Sequence, residues 1–291
     1  MGRVLVLGNA SMDVTFRVPR LPQPGETLMG SGVLRAPGGK GLNQAAMAAR
    51  AGAEVQFCAA VGDDADGRAI EAALRGERLA ALDLVRPGPA TDQSVLLVAP
   101  DAENVVISVG DCADALPGDL AQAFAARARS GDILLMQGNL PEALTRQAAA
   151  IARLRGARVV LNTAPLRWGV AAVFSHCHVV VANAGEATAI TGLPPEDAAA
   201  ALAAMGPVLA IVTLGAAGCT TGDGRRFAAP AVLAIDTTGA GDAFCGALAA
   251  ALSMGMDTAS AITAGQRAAA GMVTRRGAYA ALPKTFDLGA H

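Results

Sequence analysis

Six short apolar runs, at residues 4–7, 55–59, 133–136, 159–161, 179–181 and 209–214, are almost free of polar interruption. Runs of this length and continuity are expected of strands covered on both faces, as in a parallel sheet. Between them lie alanine-rich stretches with helical propensity at residues 42–51, 67–74, 119–129, 141–154 and 196–205. The alternation predicts an α/β fold. Residues 244–271, interrupted at Gly255, read as helices packed on that sheet.

Two regions break the rhythm. Residues 14–18 with 27–36, and 93–98 with 104–109, read as extended pairs separated by Pro/Gly-rich or Pro-Asp-Ala-Glu turns, with no helix between. They are expected to form a small lid built from hairpin-like excursions, at about 14–36 and 93–109. No repeat or linker divides residues 1–291, which read as one domain.

Composition narrows the function classes. With 53% apolar and 16% charged residues the chain buries a large core and has no disordered signature. A formal net charge of -2 gives no electrostatic reason for nucleic acid or an anionic membrane as partner. The five cysteines, Cys58, Cys112, Cys177, Cys219 and Cys245, lie far apart without Cys-x-x-Cys spacing, which reads as reduced core thiols of a cytoplasmic protein. The N-terminal run is too short for a signal peptide, Val6 stands where a myristoylation signal needs Ser or Thr, and no apolar run approaches the ~20 residues that cross a bilayer.

The segment Asp236-Thr-Thr-Gly-Ala-Gly-Asp242 is a glycine-rich turn running into an apolar helix. Backbone N–H groups of Gly239, Ala240 and Gly241 at a helix start suit a phosphate. An acid beside such a site is electrostatically odd unless it has a task; Asp242 either caps the helix or accepts the proton of an attacking hydroxyl. Neither the Walker loop nor the dinucleotide fingerprint is present, which speaks against a nicotinamide-dependent oxidoreductase. Gly38-Gly39-Lys40-Gly41 is a flexible turn before a helix that carries Asn43. Asn183-Ala-Gly-Glu186 fits a capping box or a magnesium-water site equally well. Thr213-Leu-Gly215-Ala-Ala-Gly218 leaves a strand through a glycine turn where a flat base can approach the backbone. Asp63 and Asp64 read as turn and cap residues, and His176 and His178 as structural groups.

These motifs, with Gly62-Asp-Asp-Ala-Asp-Gly67 and Thr274-Arg-Arg-Gly277, fall in one order along essentially the whole chain. In that order the chain resembles the ribokinase, or PfkB, family of carbohydrate kinases. The resemblance implies a three-layer α/β fold with a mainly parallel sheet, a β-lid and a homodimer formed through it. It implies transfer of the ATP γ-phosphoryl group to a primary hydroxyl of a small sugar, ribose first, with another pentose, a hexose or a nucleoside as alternatives. A non-catalytic sugar or nucleotide sensor is the alternative from another class. By resemblance Asp242 is the base, and Ser11, Asp13, Gly39, Lys40, Asn43 and Asn139 contact the sugar. Asn183, Glu186, Thr213, Gly215, Gly218 and Gly241 serve ATP, with Glu186 holding Mg²⁺ through water. A potassium-type ion is expected at Asp236, Thr238, Met272, Arg275 and Gly277, mainly on main-chain carbonyls. The sugar side departs from the ribokinase pattern at Ser11, where that branch has Asn, and at Asn139, where it has Glu.

Overall fold

The structure is a computed structural model and describes residues 1–99 and 104–289. In chain order the strands and helices are β1 (Val4–Leu7), β2 (Ser11–Arg17), β3 (Gly32–Gly38), α1 (Lys40–Arg50), β4 (Val55–Ala60), α2 (Ala65–Arg75), β5 (Leu79–Val85), β6 (Gln93–Val98), β7 (Asn104–Ser108), α3 (Asp111–Asp114) and α4 (Gly118–Ala125). There follow β8 (Ile133–Gln137), α5 (Glu142–Leu154), β9 (Arg158–Asn162), β10 (Val179–Asn183), α6 (Ala184–Thr191), α7 (Pro195–Ala204), β11 (Leu209–Thr213), β12 (Cys219–Thr221), β13 (Arg226–Phe227), α8 (Ala240–Ser253) and α9 (Thr258–Val273).

Nine strands form one sheet in the order β13-β12-β11-β10-β9-β8-β1-β4-β5, parallel from β11 through β5 and antiparallel at β12 and β13. Strand β1 shows how a continuous apolar run builds three layers. Val4 and Val6 face one core with α1, α8 and α9, whereas Leu5 and Leu7 face the other with α4, α5 and α7. Side chains alternate between faces, so a strand buried on both sides must be apolar at every position. The alanines serve close helix approach. At Gly246 of α8 an added Cβ would stand 2.6 Å from the Gln44 carbonyl oxygen and 2.7 Å from Met47 Cβ, both on α1.

The extended excursions form a separate four-stranded sheet, β3-β2-β6-β7, in which each pair is antiparallel internally and the pairs join through parallel β2 and β6. Two expectations need correction. The second strand of the first pair begins at Gly32 rather than at residue 27, and Lys40 and Gly41 already belong to α1. The Pro-Asp-Ala-Glu turn at 100–103 lies outside the described residues. Edge strand β5, whose leucines and alanines suit a helix as well as a strand, was not anticipated, nor were the short β12 and β13, whose mixed polarity resembles loop sequence. Asp64 caps α2 by accepting from Gly67 N at 2.7 Å, and His178 Nδ1 accepts from Val159 N at 3.1 Å, as their structural readings require. All five cysteines are buried and unpaired. No described helix is long and apolar enough to cross a membrane.

Candidate active site

In open parallel sheets ligands bind beyond the carboxyl ends of the strands, where strand order changes direction. Here β1, first in the chain, lies between β4 and β8, and the residues that leave the carboxyl ends of β1 and β8 include Asn9 and Asn139. Both line a cavity of about 550 Å³. The small sheet forms another wall through Ser11, Asp13, Ser94 and Ser108, and α1 contributes Lys40 and Asn43. Gly39, with φ 96°, turns the chain from β3 into α1 in a conformation that favours glycine. Asp242 reaches the same cavity from the first turn of α8. Ser11, Asp13, Gly39, Lys40, Asn43, Asn139 and Asp242, which lie far apart in the chain, thus meet around one space.

Asp242 is only 5% exposed, and both of its oxygens are held. Oδ2 accepts from Asn43 Nδ2 at 3.0 Å and Oδ1 from Gln44 Nε2 at 2.9 Å. Its carboxylate is not the helix cap: Gly239 occupies that position, and no side chain caps α8. Ala240 N donates to the Thr237 carbonyl at 3.3 Å, while among the described residues the Gly241 and Asp242 amides make no backbone hydrogen bond and remain available to an anion at the positive end of the helix dipole. Asn43 is 3% exposed with its Oδ1 unpartnered, and Asn139 also has a buried, unpartnered Oδ1. Unsatisfied acceptors beside a polar cavity suit hydroxyl donors. Asp13 accepts from Ser11 Oγ at 3.2 Å, and burial, opposed by that bond and reinforced by the Asp242 charge, pushes its carboxyl up to about 6.

A second cavity, about 520 Å³, lies on the other side of the Gly239–Gly241 turn. Its walls include Thr213, Gly215, Gly218 and Gly241, together with Val232, Phe244, Ala269 and Val273. It is a mainly apolar slot bordered by small residues, as a flat base requires. Gln266 of α9, 6% exposed, lines it with Oε1 unpartnered while its Nε2 donates to the Phe227 carbonyl at 2.8 Å. The sequence offered no signal for Gln266, a lone amide in an alanine-rich helix. Asn183 and Glu186 are not among the wall residues of this cavity. They form the capping box: Asn183 Oδ1 accepts from Glu186 N at 2.8 Å, and Glu186 Oε2 accepts from Asn183 N at 3.1 Å and Thr163 Oγ1 at 2.7 Å.

The turn before α8 is tied to the turn after α9. Asp236 Oδ1 accepts from Thr238 N at 2.9 Å and Oδ2 from Gly277 N at 2.8 Å, while the Met272 carbonyl accepts from Arg275 N at 3.0 Å. Among the described residues no N–H donates to the carbonyls of Thr238, Arg275 or Gly277. Free carbonyls beside a carboxylate are a donor set that suits a weakly hydrated monovalent cation. No described group of three or more His, Cys, Asp or Glu side chains is arranged to hold a metal ion.

Four residues that the motifs did not single out are also at the acceptor cavity or its base. Ser94 and Ser108, 2.9 Å apart, interrupt the apolar faces of β6 and β7, a polar break legible in sequence. Arg167 lines the cavity while paired with Asp114 at 2.6 Å. Gln44 supports Asp242 from below and is found only once α1 and α8 are packed together.

Comparison with known proteins agrees with this geometry. The model of the pfkB family carbohydrate kinases matches residues 1–285. A ribokinase of Haemophilus influenzae is 34% identical over 288 residues, covering 96% of this chain and 94% of that protein. The crystal structure of a Thermotoga maritima ribokinase superposes with a TM-score of 0.88 at 28% identity, over 97% of this chain and 96% of that one. The Arabidopsis thaliana ribokinase complexed with ribose and ATP gives 0.84 at 28% identity, over 99% and 97%. The chain belongs to the pfkB family of carbohydrate kinases.

Proposed function

We propose that this chain is an ATP-dependent kinase that phosphorylates the primary hydroxyl of ribose, giving ribose 5-phosphate. One observation carries the reading: the buried Asp242 carboxylate lines the cavity of hydroxyl-accepting side chains, beside the uncapped start of α8 whose turn also borders the mainly apolar cavity. The sugar occupies the polar cavity, with Asp13 accepting from neighbouring hydroxyls and Asn43, Lys40, Ser11, Gly39 and Asn139 completing the contacts. ATP occupies the other, its base against Gly215, Gly218 and Thr213 with Gln266 Oε1 accepting from an exocyclic amine. The whole chain acts as one α/β unit with the small sheet as lid, and its relatives named ribokinase support the choice of sugar.

In the reaction Asp242 takes the proton of the acceptor hydroxyl, whose oxygen bonds to the γ-phosphorus as the bond to the β-phosphate oxygen breaks. The amides of Gly239, Ala240 and Gly241 stabilise the charge spread over the transferring oxygens. Glu186 and Asn183, fixed by their capping box, would hold magnesium through its waters, in accord with the ion's reluctance to dehydrate, and the ion would supply charge neutralisation to the phosphates. The carbonyls of Thr238, Met272, Arg275 and Gly277, with Asp236 for charge, would hold a potassium ion, which would supply positive charge beside the anion-binding turn. Replacing potassium by a large organic cation is expected to lower kcat severalfold; equal rates in both salts exclude the ion from this role.

Asn139 and Ser11 favour a second reading on the sugar side. An amide that both donates and accepts, in place of an acceptor-only acid, selects another hydroxyl pattern, as in a different pentose, a hexose or a nucleoside. A coupled assay of ADP release over pentoses, hexoses and nucleosides tests both readings. Ribose is expected to show the highest kcat/KM, and another acceptor in first place replaces it within the same chemistry. Absence of turnover with every acceptor would leave the sensor reading.

We also propose a homodimer through the lid, acting in the cytoplasm. Apolar side chains on its edge strands are exposed, Val33 to 62% and Ile107 to 62%, and such edges pair readily. Sedimentation as a monomer at assay concentrations would remove this assignment. The free cysteines accord with a reducing compartment.

A further inference from the structure

Beneath the Asp242 carboxylate lies a chain of buried amides that proton transfer itself does not use. Gln44 of α1, 0% exposed, donates from Nε2 to Asp242 Oδ1. Its Oε1 accepts from Nε2 of Gln137, the last residue of β8, at 2.8 Å. Gln137 is 1% exposed, and Gly8, just after β1, leaves room for it; a Cβ there would stand 2.1 Å from Gln137 Oε1. Asn162, at the end of β9, places Oδ1 3.4 Å from Gln44 Nε2 and anchors itself on the Val181 carbonyl at 3.3 Å.

Two fully desolvated glutamines are costly in a core that apolar residues would otherwise fill. An amide can be turned either way, yet here its direction is determined from one end. A carboxylate offers no proton, so Gln44 presents its NH₂ to Asp242, and its oxygen is then left facing inward, where Gln137 supplies the donor. With Asn43 on the other oxygen, the carboxylate plane has no freedom to rotate.

We propose that Gln44, fed by Gln137, is a positioning residue for phosphoryl transfer, holding the plane of the Asp242 carboxylate so that its remaining lone pairs face the acceptor hydroxyl. Gln44 gains and loses no proton; the hydroxyl proton goes to Asp242 and the leaving electron pair to ADP. The inference rests on Asp242 as the base. The other charges acting on this part of the site are Asp13 on β2, Lys40 on α1 and Glu186 on α6, and they are unchanged in every variant below.

The test is steady-state kinetics as a function of pH on the intact enzyme, with thermal midpoints measured in parallel. Gln44→Met is expected to lower kcat by about 10- to 100-fold at every pH, the scale of a misplaced reacting group. Gln44→Glu, near-isosteric, puts two carboxylates on one proton, so the acidic limb of the kcat profile is expected to move up by about 1 to 2 pH units. KM for sugar and ATP is expected to stay within about threefold in both, since ground-state binding is untouched. Gln137→Met, farther from the base, is expected to give a smaller loss of kcat with the same KM. A purely structural glutamine would lower the thermal midpoint and leave kcat near normal below it, and that result overturns the proposal. Asp242→Asn in the same assay separates the two levels. If it is inactive while the Gln44 variants turn over normally, only the positioning role falls; if it turns over normally, the base assignment falls and the positioning role with it.

Discussion

Asp242→Asn is expected to lower kcat by about 10²- to 10⁴-fold, the usual worth of a positioned general base. Volume and shape are preserved, but an amide does not accept the hydroxyl proton. The variant also carries a structural cost. In the parent both oxygens accept, from Asn43 and Gln44; in the variant one of those donors meets an NH₂ instead. A buried donor left without an acceptor costs about 1–3 kcal/mol. The thermal midpoint is therefore expected to fall while the fold survives, and kcat is to be compared below it. Near-normal turnover refutes Asp242 as the base, whatever the stability.

The second large effect is expected at Asp13. A carboxylate that accepts from two sugar hydroxyls contributes about 1.5–3 kcal/mol per charged hydrogen bond, so Asp13→Asn is expected to raise the sugar KM by about 10²-fold or more with a smaller change in kcat. The pH dependence gives an independent check. Burial raises this carboxyl from its ordinary 3.8 to about 6, so in the free enzyme the charged, hydroxyl-accepting form is lost as pH falls through about 6. Sugar KM is expected to rise below that pH and to become flat in Asp13→Asn. Stability runs in the opposite sense. A group that binds its proton more tightly folded than unfolded contributes stability that is fully present below 3.8 and is lost as pH rises through about 6. At neutral pH the ligand-free Asp13→Asn protein is thus expected to melt above the parent. A variant that melts lower at neutral pH, or that keeps the pH dependence of KM, contradicts this account of Asp13.

Much of the site was legible because its chemistry is local. The Gly239–Gly241 turn, Asn43 beside Lys40, and the Thr213–Gly218 turn sit in short segments whose residue types and spacing constrain the ligand on their own. Other placements depend on contacts far apart in the chain. Asp13 lies in β2, whose sheet covers the cavity rather than the main core. Glu186 with Asn183 fits two readings in sequence; the structure forms the capping box, and the same carboxylate accepts from Thr163, a neighbour only in space.

The unbroken apolar strands, the alanine-rich helices and the glycine-rich turns determined the α/β class, the order of the elements and the residue types at the reacting end, because each is a property of neighbours along the chain. Tertiary structure alone decided which buried amides hold Asp242, that Gln266 borders the nucleotide cavity, and that the two extended pairs join through β2 and β6 into one wall. Those contacts join residues far apart in sequence, and their existence depends on packing distances such as that of Gly246 against α1, which no local pattern encodes.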